Sequence, residues 1–274
     1  MENKEKVYSY SRLSCFDGCK YSYFLSYIED KEKLEKMGIV KKDNIYSFPG
    51  GKTHEIIEQL QQDNITNEQA VQIFEDTVEE AEFLGHVWIS EKVKDNYCQS
   101  IIHYLENWQK IPGQCELEKE FLIDIDGIKI RGFIDILSRQ GNVVDIFDYK
   151  TSSKFAKKDL PEYGRQLVLY ALAVQQIYPE VEIGTIAWHM LKYAKVGRKV
   201  ELRADVDLLA EFEPFVQEYI YNEETINELR TYVKDRVQAI EALGTDEENY
   251  PPKVEYFFCS KLCDFGDCCK YFNS

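Results

Sequence analysis

The chain has 274 residues, 44% of hydrophobic type and 14% aromatic, which is enough for a sizeable core and excludes disorder over most of its length. A net charge of −16 excludes a protein that coats nucleic acid through clustered Lys and Arg, although a local channel with metal ions at its floor stays compatible with it. The longest apolar runs, such as LVLYALAV (167–174), fall short of the roughly 20 residues of a membrane span, and the opening MENKEKVYSYSR lacks the apolar region of a secretory signal. A cytoplasmic protein with no membrane segment is expected. In that reducing compartment, eight cysteines point to metal binding or chemistry before disulfides.

Residues 9–30 read as an aromatic helix capped by Ser9 or Ser11, and GGKTHEIIEQLQQ (50–62) as a helix opened by glycines. Residues 67–110 read as two or more amphipathic helices broken near Gly85, and Pro112-Gly113 closes the helical part. The pattern then turns to strands: LEKEFLIDI, a turn at Asp126-Gly127, IKIRGFIDILSR, a turn at Gly141-Asn142, and VVDIFDYK. Asp-Gly and Gly-Asn are both two-residue hairpin signatures. A helix over 159–178, strands over 183–193 and 198–204 around Gly197, and a long helical segment over 207–243 follow, ending in a cysteine cluster. The acidic stretches FEDTVEEAEF (74–83) and DVDLLAEFEPF (205–215) read as solvated helix faces. This order predicts an α/β fold with a central mixed β-sheet flanked by helices and a helical lobe. The expected organisation is one domain: a helical part at 1–116, a core at 117–204, and a C-terminal helix with its cysteines at 205–274.

A two-residue loop at Gly141-Asn142 pairs Gln140 with Val143 and, further out, sets Asp135 opposite Asp148, with Cβ atoms about 5 Å apart. Strand alternation puts Lys150 on the face of Asp148. Phe133, Leu137 and Ile146 share that face, and Ile134, Ile136 and Phe147 take the other, so neither face reads as solvated. Two facing carboxylates repel unless a cation lies between them. A hard divalent ion such as Mg²⁺ suits the pair, and a neighbouring lysine can orient an attacking water. The Asp126-Gly127 turn sets Glu118 opposite Asp135 in the same way, as a second-metal or supporting group.

Gly132-Phe133-Ile134-Asp135, Asp148-Tyr149-Lys150, and Gln166 with Tyr170 four residues on resemble the motifs of the PD-(D/E)XK nuclease superfamily. His54 in GGKTHEIIE and Glu118 in EKEF extend the likeness, so that it covers most of the chain. More narrowly the chain resembles the RecB-like exonucleases that carry an iron–sulfur cluster, including CRISPR-associated and AddB-type members. The superfamily's leading proline is absent, because Phe133-Ile134 precedes Asp135. The resemblance implies a restriction-endonuclease-like core. It implies Mg²⁺ or Mn²⁺ held by Asp135, Asp148, the Tyr149 carbonyl and His54, with Lys150 serving the water. Gln166 and Tyr170 would hold the lysine or the DNA backbone.

The same resemblance implies a [4Fe–4S] cluster held by one early and three late cysteines. Cys19 in CKYSYFL fits the early position better than Cys15, and Cys259, Cys263 and Cys269 fit the late ones, with Cys268 competing for the last. Zinc is the alternative, since four thiolates also suit it, and a disulfide is the weakest reading. Cys98 and Cys115 read as isolated thiols. The expected activity is metal-dependent hydrolysis of DNA, with exonuclease favoured by resemblance alone. Single-stranded DNA is one expected substrate, with the aromatic 9–30 segment stacking on bases. A protein partner in recombination, repair or CRISPR adaptation is also expected. The rival readings are a catalytically degenerate assembly subunit, which would explain the acidic balance, and a zinc-stapled adaptor.

Overall fold

The protein is described here from a computed structural model covering residues 6–207 and 209–272. Residues 1–5 of the charged opening stretch, Leu208 of the acidic 205–215 segment and the last two residues lie outside the described residues. In chain order the elements are β1 (Val7–Tyr8), α1 (Tyr10–Gly18), α2 (Lys20–Tyr27), α3 (Lys31–Lys36), α4 (Ser47–Gln61), α5 (Asn67–Phe83), α6 (Glu91–Glu106), β2 (Gln114–Ile125), β3 (Ile128–Gln140), β4 (Val143–Lys150), α7 (Leu160–Ile177), β5 (Glu182–Val196), β6 (Lys199–Leu202), β7 (Glu213–Tyr219), α8 (Glu223–Leu243) and α9 (Tyr256–Lys261). Two compact units divide these elements. One comprises Ile45–Lys119 with Phe133–Asn222, and the other holds the remaining segments.

The first unit carries a mixed sheet. β3 and β4 form the expected hairpin, with Gln140 facing Val143, Leu137 facing Ile146 and Ile136 facing Phe147. Gly141 takes φ +66 in the turn, a region open to glycine at little cost. β4 and β5 run parallel, Asp148 beside Trp188 and Lys150 beside Met190, joined by α7 as a helical crossover. β6 and β7 are antiparallel to β5. Residues 186–189 of β5 pair with both β4 and β7, and residues 194–195 with both β6 and β7. β7 therefore lines one edge of β5, while β4 and then β6 share the other.

The stretch expected as helix from 207 to 243 is thus two elements, β7 and α8. The acidic run is not a helix face: residues 203–205 form one 3-10 turn, and Glu213 opens a strand. Phe215, Gln217 and Tyr219 alternate along it, and the vacant edge of β5 offers backbone bonds that a helix there would leave unmade. The 74–83 stretch is a solvated helix face as expected. Phe74, Val78 and Ala81 of α5 are buried, while Glu75, Asp76, Glu79, Glu80 and Glu82 are exposed. Thr66 and Gln69 close a reciprocal capping box at its start, and Ser90 caps α6. α4, α5 and α6 pack Ile56, Ile57, Phe74, Tyr97 and Ile101 against Ile136, Tyr149 and Leu191 of the sheet.

In the second unit Ser9 caps α1, its hydroxyl accepting from the Arg12 N–H. Cys19 is extended, φ −158, and breaks the expected 9–30 helix into α1 and α2. Tyr21, Tyr23 and Phe24 are buried and pack on one another and on Tyr250. That corrects the expectation of base stacking for these three rings, which build a core, whereas Tyr27 of the same segment is 40% exposed. β1, not expected from the sequence, pairs in parallel with Lys129 and Ile130. Asp126 and Gly127 turn at φ +52 and +87, as a type I′ turn requires. A Cβ at Gly132 would meet the Phe121 ring at 2.6 Å, so glycine at this position lets the ring lie across the strand.

His103 is 5% exposed, with Nδ1 facing the Arg203 guanidinium at 3.2 Å and Nε2 buried without a partner. Burial, then the Arg203 charge, lowers its pKa. Burial, with Arg203 adding, pushes His189 down to about 4. The unfolded chain therefore binds more protons than the folded one between pH 6.5 and about 4, so stability is present above pH 6.5 and falls as pH drops through that window. His189 is expected to lower the unfolding free energy between pH 6.5 and 5 by on the order of 1 kcal/mol per pH unit, read by urea titration, with the raised Asp148 acting in the opposite sense. The fall should be shallower in His189→Gln, and an unchanged slope in that variant would refute the assignment.

Candidate active site

The site forms where β4 ends. Alternation sends Tyr149 into the core beneath α4–α6 and sends Asp148 and Lys150 the other way. Lys150 Nζ lies 2.6 Å from Asp148 Oδ2 and 3.4 Å from Gln166 Oε1 on α7. Gln166 Nε2 donates to the Tyr170 hydroxyl at 2.6 Å, one turn along that helix. Asp148 is 2% exposed. Its Oδ2 is compensated by the Lys150 ammonium 2.6 Å away.

Asp135 lies one residue beyond the last ladder pair of β3 and β4. Its Oδ2 accepts the Tyr149 N–H at 2.8 Å and sits 3.3 Å from His54 Nδ1. His54 reaches this point because Gly50 lets α4 approach the end of β4: a Cβ there would stand 3.0 Å from Thr151 Oγ1. His54 follows Gly50 by four residues and shares its helix face. Glu118 completes a trio: ligand atoms of His54, Glu118 and Asp135 all lie within 4.8 Å of one another. Glu118 takes φ +44, a region that costs a residue with a side chain about 1–3 kcal/mol and is concentrated at functional positions.

The electrostatics follow from burial and mutual charge. Burial pushes Asp148 up to about 6; Lys150 opposes this and Asp135 adds to it. Burial also raises Glu118, and the Asp135 charge adds. Asp135 resists its own burial and stays below its usual range through the hydrogen bond and charge of His54 and the charge of Lys150. A group of acids that must share a proton or a cation has been collected in one place.

The structure brings together His54, Asp135, Asp148, Lys150, Gln166 and Tyr170. Tyr149 contributes the N–H held by Asp135, while its side chain is buried. Phe133, expected to be enclosed, is 46% exposed, because the burial of this face begins only at Leu137 and Ile146. Glu118 enters more directly than the hairpin arithmetic alone suggested, as one of the three groups that converge.

A family model for the PD-(D/E)XK nuclease superfamily matches residues 7–270. The chain belongs to this superfamily. Among solved structures, this nuclease is similar to a protein named "Putative exonuclease" from Eubacterium rectale, at 13% identity and a TM-score of 0.46, covering 98% of this chain and 87% of that one. It is similar also to the protein SSO0001, at 17% identity and a TM-score of 0.31, covering 88% of this chain and 93% of that one. No curated protein matches the sequence. No helix among the described residues is long and apolar enough to cross a membrane.

The donor set of the nuclease site fits a hard divalent cation: two carboxylates and an imidazole converge, with the buried Asp148 carboxylate close by. A second cluster lies in the other unit. The Lys253 N–H approaches Cys19 Sγ at 3.4 Å, and Cys259 Sγ lies 4.0 Å from the Lys253 carbonyl. Burial pushes the Cys263 thiol up to about 11, and a hydrogen bond from the Phe265 backbone opposes this. A Cβ at Gly266 would meet the Cys259 carbonyl at 2.1 Å, so the C-terminal turn closes on α9 only with glycine there. Cys268 Sγ faces the carbonyls of Val40 and Phe265 at 3.7 and 3.5 Å. All eight cysteines are free of disulfides.

Mn²⁺ at about a hundred times its Kd should stabilise the protein by about 2.7 kcal/mol, read as a rise in melting temperature. His54→Ala, Glu118→Gln and Asp135→Asn should each reduce that rise. A Glu118→Gln protein with the full rise would remove Glu118 from the ligand set.

Proposed function

We propose that this nuclease is a metal-dependent deoxyribonuclease, acting as an exonuclease, with a structural [4Fe–4S] cluster in its second unit. The observation that carries the catalytic part is the convergence of His54, Glu118 and Asp135 beside the buried Asp148–Lys150 pair. His54, Asp135, Asp148 and the Tyr149 carbonyl would hold Mg²⁺ or Mn²⁺, with Glu118 beside them. Bound there, the ion would lower the pKa of a water and offset charge gathering on the phosphate.

The protein's own groups do the positioning. The Lys150 ammonium has three donors. One points at Asp148, one toward Gln166, and the third is left to orient the attacking water or a phosphate oxygen. Gln166 and Tyr170 fix the lysine from α7, since the amide that faces Lys150 is itself held by the tyrosine hydroxyl. Asp135, tied to the Tyr149 N–H, locks the ends of β3 and β4 so that the carboxylates keep their spacing.

For the cluster, Cys19 and Cys259 both face the Lys253 backbone, which supports a shared inorganic centre, with Cys263 and Cys269 as the other two candidates and Cys268 competing with Cys269.

Lys150→Ala and Asp148→Ala should abolish cleavage while circular dichroism shows the fold retained; full activity in purified Lys150→Ala protein would contradict the mechanism. Gln166→Leu should lower kcat about tenfold, the equivalent of about 1.4 kcal/mol, with little change in KM. Loss of end-labelled linear DNA with covalently closed circles left intact would support exonuclease action, and nicked circles would refute it. Protein purified without oxygen should be brown and absorb visible blue light, and Cys19→Ser or Cys259→Ser should be colourless. A colourless wild type containing zinc would replace the iron–sulfur assignment.

A further inference from the structure

Basic residues are few in this acidic chain, and most of those near acids are engaged in ion pairs. Two stretches differ. Residues 149–158 contain four lysines and no acid, and residues 192–200 contain three lysines, an arginine and no acid. Among the described residues, Lys154, Lys157, Lys158, Arg198 and Lys199 are all exposed, and none has a carboxylate within 4.0 Å. By contrast, Lys31, Lys33, Lys36, Lys41 and Lys42 each pair with an acid. The two stretches meet: Lys154 Nζ approaches the Val200 carbonyl at 3.4 Å. Apart from Lys150 and Lys195, which pair with Asp148 and Glu213, they make a strip of charge without a close carboxylate that begins soon after the catalytic lysine.

The strip is also fixed and aromatic. Gln217 on β7 accepts the Phe155 N–H at 3.1 Å and donates to the Phe155 carbonyl at 3.0 Å, clamping the loop at both backbone groups. The Phe155 ring stacks on Tyr163, centroids 4.1 Å apart and planes 17° from parallel. Its edge packs on Trp188, the residue beside Asp148 in the β4–β5 ladder. Tyr163 is 42% exposed on α7 and precedes Gln166, the residue facing Lys150, by three positions on one helix face. An aromatic stack, half-buried at Phe155 and exposed at Tyr163, is thus held one ring away from the catalytic strand, with Lys154, Lys157 and Lys158 on the same loop and Asp159 and Glu162 acting on Tyr163.

Resting on the nuclease reading above, we propose that the Phe155–Tyr163 stack and the strip around Lys154, Lys157, Lys158, Arg198 and Lys199 form the platform that binds the substrate strand, and that this strand is single-stranded DNA. A duplex offers phosphates to the lysines but keeps its base faces stacked inside. An unpaired strand offers both a phosphate track and a base that can lie against a ring. Charge and stacking placed side by side therefore select the single strand.

The test measures binding of a fluorescent oligo(dT) of about twenty nucleotides, and of a duplex of equal length, by full-length protein carrying Lys150→Ala so that nothing is cut. Adding Tyr163→Leu should weaken single-strand binding roughly five- to a hundredfold, whereas Tyr163→Phe keeps it and shows that the ring, not the fold, is being read. The duplex should bind more weakly and be unaffected by Tyr163→Leu. Lys157→Ala with Lys158→Ala should reduce the slope of log affinity against log salt by about 0.7 for each phosphate no longer neutralised. Unchanged affinity in Tyr163→Leu, an equal weakening for duplex, or an unchanged salt slope would overturn the platform. The wild type with Mn²⁺ on the same oligonucleotide separates the two ideas. Intact DNA together with the expected binding pattern would end the nuclease reading and leave the platform, whereas cleavage with unaffected variants would end the platform alone.

Discussion

The 2.6 Å pair of Asp148 and Lys150 at the end of β4 is the constraint around which the first unit is arranged. A carboxylate 2% exposed cannot stay charged without compensation, because the interior solvates it poorly. The lysine supplies part of that compensation, yet burial still raises the acid, and the Asp135 charge adds to it. Parallel pairing with β5 seals the strand on one side, and α7 covers the lysine with Gln166. The surrounding elements thus leave negative charge incompletely compensated at one point, which a divalent cation is suited to neutralise.

The same constraint explains why distant parts of the sequence converge there. Gly50 brings α4 against Thr151, and His54 one turn later reaches Asp135. Asp135 in turn holds the Tyr149 N–H, so the imidazole, the first carboxylate and the backbone of β4 form one connected set. Glu118 joins from β2 at the cost of a left-handed backbone. The attractive contacts of His54 and the Tyr149 N–H with Asp135 hold in place carboxylates that repel one another. Such an arrangement is poor for stability and suited to binding a cation.

Much of this was legible in the chain. Asp-Gly and Gly-Asn marked both hairpins, and counting outward from Gly141-Asn142 reproduced the β3–β4 register as far as Ile136 and Phe147. Alternation put Asp148 and Lys150 on one face, and the four-residue step joined Gln166 to Tyr170. Reading failed where local pattern and long-range pairing compete. The acidic run before Phe215 looks like a helix face, but β5 had an edge to fill, and β7 fills it. The aromatic residues 21–24 looked available for bases, but they are the core of the second unit. β1 is two residues long, too short for any periodicity to announce it.

By itself the sequence determined what is set by neighbours a few residues apart: turns, caps, strand faces and the spacing of acids and amine along one hairpin. These follow from local dihedral preferences and from the two- and 3.6-residue periods of strands and helices. Only the tertiary structure decided which groups meet across tens or hundreds of residues. His54 comes to Asp135, Gln217 comes to the loop after Lys150, and Cys19 and Cys259 both come to Lys253. Those meetings depend on how closely helices and strands can approach one another, a matter of side-chain volume at positions such as Gly50 and Gly266, which no local period encodes.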